Sequence, residues 1–546
     1  MWALYVLKNN IFFFVVFTYF LYEDSCKEIL AYSLNDTPLS SSVFCSNHKN
    51  NSKRCVFLNL CYNFHSDFIF LLTGKSIISG LNHKKDFKNI FPTSVLNHSA
   101  LPLKISLTYA KNFSDFKIYE KEVFLLHRFK PDNIMHVVHD DILPLFATYR
   151  DLCLGNVSVC ASKYDILFSD RNNDGPYLEW YRAFSKTEPF KLSNLNKSLT
   201  HCFTKVNVGL SIDSVIFQYG FLQNRGPTVL SVNQVQLLDQ FKTFMYTHFG
   251  INNNYQINNV VFLARKVNRK ILNEEYVENI ILKTFKRDFD TSVRLLNVDL
   301  SINSSKEVLQ AIAEASYLIG MHGSGMFLSL FLPENSVAIE MFPYGIYKEL
   351  VSPLFVMSSI PGIWFRYFSW ENVVLLNSFP HPEYSSILGG LTHLERVKQI
   401  DIFGKTANIS KECCNDPLFL SRMYQDTIVD DSLMKIISYS LKTQTKHSFD
   451  FSQIYIFEWF FPSVVQNITC YRNVSNLILS WNHPFNVEWS NNIYYDLSIQ
   501  MSRHNLSIYT SNSFLNLQMD SDISTVKIWI KCNLPGIEGL DTFITC

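Results

Sequence analysis

Residues 317–344 constrain the fold most. Tyr317-Leu318-Ile319-Gly320-Met321 reads as a buried strand, His322-Gly323-Ser324-Gly325 as a tight turn, the apolar run to Phe331 as a short helix, and 336–341 as a second strand. Glycine tolerates positive φ and close backbone approach, and Ser324 is placed to cap the segment that follows. A helix starting at such a turn offers unpaired amides whose partial positive charge suits an anion such as a diphosphate. Turns of this kind also occur without a ligand, so the neighbouring segments have to decide.

Those neighbours alternate regularly from Asn258 onward. The pattern predicts strand 259–264, helix 274–285, strand 293–298, helix 305–315, strand 317–321, the turn and helix 324–331, strand 336–341 and strand 373–376. That is a parallel α/β domain, in which ligands bind beyond the carboxyl ends of the strands. Arg265, Asp299, His322-Gly323 and Glu340 then share one rim. Arg265 and Arg269 bring positive charge to the place where Gly323, Ser324 and Gly325 bring amides, and Glu340 is placed to accept a ribose hydroxyl.

A second cluster lies upstream, in Met135-His136-Val137-Val138-His139-Asp140-Asp141. On a helix His136 and Asp140 are i,i+4 neighbours, a spacing at which a carboxylate orients an imidazole or shares its proton. The plainer alternative is a solvated polar edge.

At 546 residues the chain exceeds one core and predicts two to four domains. Its 48 basic and 48 acidic residues balance, which argues against a nucleic-acid surface. Counted from Trp2, the apolar run through Tyr22 supplies about twenty residues, the length of one spanning helix. An uncleaved signal-anchor (1–22) followed by a polar stem (23–42) is therefore expected, with a cleaved signal peptide as the rival. The twelve cysteines suit an oxidising compartment; none forms a C-x-x-C pair, so zinc is not expected. Asp288-Phe289-Asp290 has the D-x-D form of metal-dependent transferases, but it falls between a helix and the next strand, away from the rim. No metal is expected. The tail, 458–546, alternates with period two and predicts a small β-sandwich. The aromatic run before it (Phe449 to Phe461) predicts that the sandwich docks on a catalytic surface, of its own chain or of a second protomer in a homodimer.

Longer strings carry a family likeness. Arg128-Phe-x-Pro-Asp-Asn-x-Met-His-Val-x-His-Asp-Asp-x-Leu-Pro-Leu-Phe146, Gln218-Tyr-Gly-Phe221, Ile271-Leu-Asn-Glu274, Met321-His-Gly323, Phe331-Leu-Pro333, Glu340-x-Phe-Pro-Tyr344, Gly390-x-Thr-His-Leu394, Cys413-Cys414 and Tyr424-Gln-Asp-Thr427 resemble glycosyltransferase family 61. The likeness runs from about Val43 onward. It implies a GT-B fold of two Rossmann-like halves, 43–250 on the acceptor side and 251–445 on the nucleotide-sugar side, with the tail as a fibronectin type III domain. It also implies a single-pass type II protein of the endoplasmic reticulum membrane, its catalytic part luminal. The implied reaction is inverting transfer of N-acetylglucosamine from UDP-GlcNAc to the 4-hydroxyl of mannose O-linked to protein. Such a reaction needs a base, expected in the His136, His139, Asp140 and Asp141 cluster with Asp140 first and His139 second, and positive charge for the departing UDP. Rival expectations are direct transfer to Ser or Thr, an inactive luminal module that binds glycoproteins, and a surface receptor led by its fibronectin domain.

Overall fold

The computed structural model describes residues 39–445 and 465–546, except 48–52, 82–86, 88–89, 94–101, 110–115, 219–225, 228–231, 253–258, 290–292, 361, 405–415, 473–475, 485–492, 502–504, 519–524 and 535–536. The chain is mixed α/β with several sheets. Strands β1 (Asn259–Leu263), β2 (Arg294–Val298), β3 (Tyr317–Met321), β4 (Val337–Phe342) and β5 (Arg366–Glu371) form an all-parallel sheet in the order β2-β1-β3-β4-β5. Every residue of β1, β3 and β4 is buried, as expected of strands covered on both faces. Between them run α1 (Glu274–Phe289) and α2 (Ser305–Ala313). α1 begins on Glu274 and Glu275 and ends on Lys286 and Arg287, matching the helix dipole, and Ser304 and Glu307 close a capping box on α2.

The fifth strand lies upstream of the expected 373–376. Arg366–Glu371 pairs with β4, whereas Leu375–Asn377 is a 3₁₀ turn and Val373 and Leu376 are exposed. The apolar run at 373–376 is the stronger sequence signal, while at 366–371 alternation with Arg, Ser and Glu conceals that Tyr367, Phe368 and Trp370 are buried.

The first half departs from a purely parallel Rossmann sheet. Lys53–Asn63 runs antiparallel to Ser42–Asn47 and to Thr200–Val208, while Phe116–Leu126 lies parallel to both Thr200–Val208 and Asp165–Phe168. Disulfides join Cys45 to Cys55, Cys61 to Cys202, Cys153 to Cys160 and Cys470 to Cys546; Cys413 and Cys414 lie outside the described residues. The two halves share one apolar core: Phe124, Tyr149, Trp180 and Phe241 cluster with Leu318, Phe327 and Phe331. Trp180 Nε1 donates to Ser305 Oγ at 2.9 Å across the seam. That continuity fixes the two halves' facing edges.

Beyond residue 465, Gln466–Arg472, Asn476–Asn482 and Phe514–Gln518 form one antiparallel sheet, and Asn505–Thr510, Tyr494–Gln500, Lys527–Leu534 and Ile537–Thr545 a second. Leu477, Leu479, Trp481, Leu497, Ile528 and Ile530 fill the space between them. The strand Ile537–Thr545 also lies beside Gly226–Pro227 of the first half. The aromatic run 449–461 falls outside the described residues.

The membrane expectation has to be withdrawn. Residues 1–38 lie outside the described residues, and among those described no helix is long and apolar enough to cross a membrane. The long helix Val232–Phe249 has 18 residues and interleaves polar side chains with apolar ones. The described residues supply no span for the single-pass endoplasmic reticulum placement, and that placement is withdrawn with it.

Candidate functional site

The order β2-β1-β3-β4-β5 reverses direction between β1 and β3, and a sheet of this kind opens a crevice at that point, beyond the strands' carboxyl ends. Arg265 follows β1 and His322-Gly323 follows β3, so both stand at the reversal. Gly323 has φ 155°, and a Cβ there would sit 2.3 Å from Arg265 Nη1 and 3.4 Å from Arg269 Cζ. Only glycine lets two guanidinium groups close on the turn. The helix after it, Ser324–Phe331, is 3₁₀ rather than α, and its N-cap is Gly323, with no side-chain cap. Ser324 therefore does not cap; it lines the cavity. Gly325 instead makes room for Leu300, whose Cδ1 would lie 2.7 Å from a Cβ.

Arg265 and Arg269 are half-buried. Arg265 donates from Nε to Asn268 O at 3.0 Å and from Nη2 to Asn268 Oδ1 at 2.7 Å; Arg269 donates from Nη1 to Met423 Sδ at 3.5 Å and has Tyr424 5.4 Å from its Cζ. Neither has a carboxylate within salt-bridge reach among the described residues. Desolvation first, and then the neighbouring Arg269 charge, disfavour the charged form of Arg265. Guanidinium does not deprotonate in proteins, so the pair stays cationic and poorly compensated. A bound anion relieves that cost.

Glu340, expected to accept a ribose hydroxyl, has its oxygens occupied by protein instead. Oε1 accepts from His322 Nδ1 at 2.7 Å, and Oε2 from Ser352 Oγ at 2.6 Å and Tyr367 OH at 2.9 Å. Glu340 is 1% exposed and holds His322, whose ring stacks on Phe342. Burial holds the His322 imidazole below its ordinary pKa, against the opposing pull of Glu340. With its proton on Nδ1, the ring carries its lone pair on Nε2.

The upstream cluster forms a π-helix, Val137–Ile142, between the short turn Ile134–His136 and the helix Leu143–Leu152. The wider turn directs both histidines toward one carboxylate, an irregularity often found at functional sites. Asp140 Oδ2 lies 2.6 Å from His136 Nδ1 and Oδ1 lies 2.5 Å from His139 Nδ1. His139 Nε2 accepts the Ile216 and Phe217 amides at 3.1 and 3.3 Å, so its proton sits on Nδ1 and points at Asp140. A cavity of about 410 Å³ lies between the halves, and His136, Arg269, His322, Gly323, Ser324 and Glu340 line it. Asp140, His139 and Asp141 stand behind His136, all at most 2% exposed.

Asp141 faces away and accepts from Tyr181 OH at 2.5 Å. Burial pushes its carboxyl well above the usual range. An acid raised on folding contributes stability below its unfolded pKa and loses it as pH rises toward the folded value. Asp141→Asn keeps an acceptor for Tyr181 and abolishes that loss. The parent's melting temperature is expected to fall relative to this variant as pH climbs from about 4 to 8, with turnover in the variant within about threefold of the parent. A variant less stable at every pH would show an ionised, ion-paired Asp141.

Residues 110–339 match the family described as Glycosyltransferase 61. Over that stretch the chain is similar to glycosyltransferases of family 61. Over 90% of its length, and 86% of theirs, it is similar to proteins named protein O-linked-mannose beta-1,4-N-acetylglucosaminyltransferase 2: 27% identical to that of Xenopus tropicalis, 28% to that of Mus musculus and 27% to that of Homo sapiens. The family match takes in both clusters, from His136 through Gly325.

The structure adds residues to this site that the sequence pattern leaves without a role. Ser352 and Tyr367 hold Glu340, and Met423 and Tyr424 form a shelf for Arg269. Buried Arg128 grips Asp170 through Nε at 3.0 Å and Nη2 at 2.8 Å and stacks on Phe168. Arg128 opens the longest matched string and Tyr424 the last, so both are visible as motif letters without a chemical reading.

Proposed function

We propose that the chain transfers N-acetylglucosamine from UDP-GlcNAc to the 4-hydroxyl of mannose O-linked to protein, with inversion at the anomeric carbon. The observation that carries this reading is the pairing, across one cavity, of Arg269 in its wall, with Arg265 beside it at Gly323 and no carboxylate within salt-bridge reach of either among the described residues, with a histidine backed by a buried aspartate. The relatives' names supply the sugar, the linkage and the acceptor. His136 Nε2 takes the proton of the mannose 4-hydroxyl as its oxygen attacks the anomeric carbon. The carbon–phosphate oxygen bond breaks, and UDP leaves with the electron pair. Arg265, Arg269 and the amides after Gly323 meet the charge that develops on the diphosphate. Asp140 stabilises the imidazolium, and His139 fixes Asp140. The base thus moves from Asp140 to His136, because His136 is the member of the cluster that lines the cavity.

Within this reading the architecture is GT-B, with the parallel sheet as donor half and the mixed sheet as acceptor half. The facing three- and four-stranded antiparallel sheets after residue 465 support a fibronectin type III assignment. Direct transfer to Ser or Thr is not favoured, since each relative's name carries a mannose acceptor.

No metal takes part in this scheme. Asp288 pairs with Arg287 at 2.6 Å near the end of α1, which runs away from the carboxyl edge of the sheet. Transfer from UDP-GlcNAc to a mannosylated peptide, with none to the same peptide unmodified, is the expected result, and it should persist in EDTA. Transfer to the bare peptide would overturn the acceptor, and loss in EDTA restored by Mn²⁺ would overturn the metal-free scheme.

A further inference from the structure

Arg269 has φ 52°, a left-handed conformation that long side chains seldom adopt. Nothing in its sequence neighbourhood, Asn268-Arg269-Lys270, demands a side chain there, and glycine would make the same turn without strain. Strain kept at a cavity wall points to a use for the side chain it aims. Its guanidinium stands beside Gly323, with Nε lacking a partner among the described residues.

The backbone after Arg269 is clamped by a segment 156 positions away in sequence. Lys270 N–H donates to Asp426 Oδ1 at 2.8 Å, and Lys270 O accepts the Thr427 amide at 2.9 Å. Ile271 bridges Thr427 in parallel, and Asn273 exchanges two bonds with Val429, at 2.7 and 3.0 Å. Because the Lys270 amide belongs to the peptide plane that follows Arg269, its bond to Asp426 fixes the rotation that the left-handed turn requires. Asp426 is itself held. It is 1% exposed, and its Oδ2 lies 2.9 Å from His381 Nε2 and 3.5 Å from Lys270 Nζ. The helix Pro417–Tyr424, two residues before Asp426, ends on Met423 and Tyr424, the shelf under the guanidinium.

We propose that Asp426 is the positioning residue for Arg269: it locks the left-handed backbone that presents the guanidinium to the diphosphate of the donor. This rests on the donor-site reading above. A clamp that merely stapled the two segments together would need neither the strained arginine nor the shelf beneath it.

The test is a double-substitution cycle on the full chain, read as UDP affinity by calorimetry together with KM for donor and for mannosyl peptide. Asp426→Ala is expected to weaken UDP binding by about 10- to 100-fold, as for a lost charge-assisted contact, with acceptor KM within about threefold. In the Arg269→Gln background the same substitution should cost nothing further. Asp426→Asn keeps the acceptor for Lys270 N–H and should retain the parent's affinity. Arg269→Gly should melt about 2–4 °C above Arg269→Ala, since glycine relieves the strain. If Asp426→Ala does not fold, Asp426→Ser, whose hydroxyl is too short to reach Lys270, replaces it. Losses that multiply in the double variant, or unchanged UDP affinity in Asp426→Ala, would overturn the inference alone. A parent chain that binds neither UDP nor inorganic pyrophosphate would overturn the donor-site reading and this inference with it.

Discussion

His136→Ala should lower kcat by about 10²- to 10⁴-fold while leaving donor KM near the parent's, the signature of a lost general base. Asp140→Asn should approach the same loss, for a reason that the hydrogen bonds dictate. An ionised carboxylate only accepts, so both imidazoles direct Nδ1–H at Asp140. An asparagine offers one acceptor and one donor, and one ring must then change tautomer. His139 cannot, because the Ile216 and Phe217 amides occupy Nε2. The ring that changes is His136, whose proton moves to Nε2, the atom needed as base. His139→Gln tests the same logic, since removing the second imidazole lets the substituted amide at position 140 accept from His136 in its productive tautomer. Partial recovery of Asp140→Asn by that second change is the expected result. His136→Ala with turnover within tenfold of the parent would transfer the base elsewhere.

How far this site can be read from sequence depends on what kind of pattern carries each part. The second half is legible because a parallel sheet writes itself in periodicity: β1, β3 and β4 are uniformly buried, α1 begins on acids and ends on bases, and Ser304 caps α2. The rim follows from that regularity, which brings Arg265 and His322-Gly323 together. Roles within the rim are less legible. Glu340 is on the rim as expected, yet its oxygens belong to His322, Ser352 and Tyr367, contacts that depend on strands and helices apart in sequence. The His136–Asp140 spacing finds the right pair but not which partner reaches the cavity, since a π-helix changes the angle between successive side chains. The mixed sheet of the first half is hardest. Its strands pair across gaps such as Cys61 to Cys202, and nothing local announces whether such a pair is parallel.

The guanidinium pair gives the other large effect, and one with opposite signs for stability and function. Arg265→Ala should reduce kcat/KM for the donor by about 10²- to 10³-fold, the loss typical of removing one donor aimed at developing charge. Lysine should not rescue it, because an ammonium cannot both donate two bonds to Asn268 and present a further nitrogen beside Gly323. Yet the unliganded variant should be at least as stable as the parent. In the parent, Arg265 and Arg269 repel one another, both are disfavoured first by desolvation, and no carboxylate offsets them within salt-bridge reach among the described residues. Removing one charge relieves that repulsion, with a rise in melting temperature of about 1–3 °C expected. UDP reverses the order: it should stabilise the parent strongly and the variant weakly, because a ligand raises stability only as far as its affinity for the folded state allows. Melting scans with and without UDP read both signs in one experiment. A variant that melts well below the parent without ligand would show that Arg265 braces the fold, and one that UDP stabilises as much as the parent would show that the diphosphate lies elsewhere.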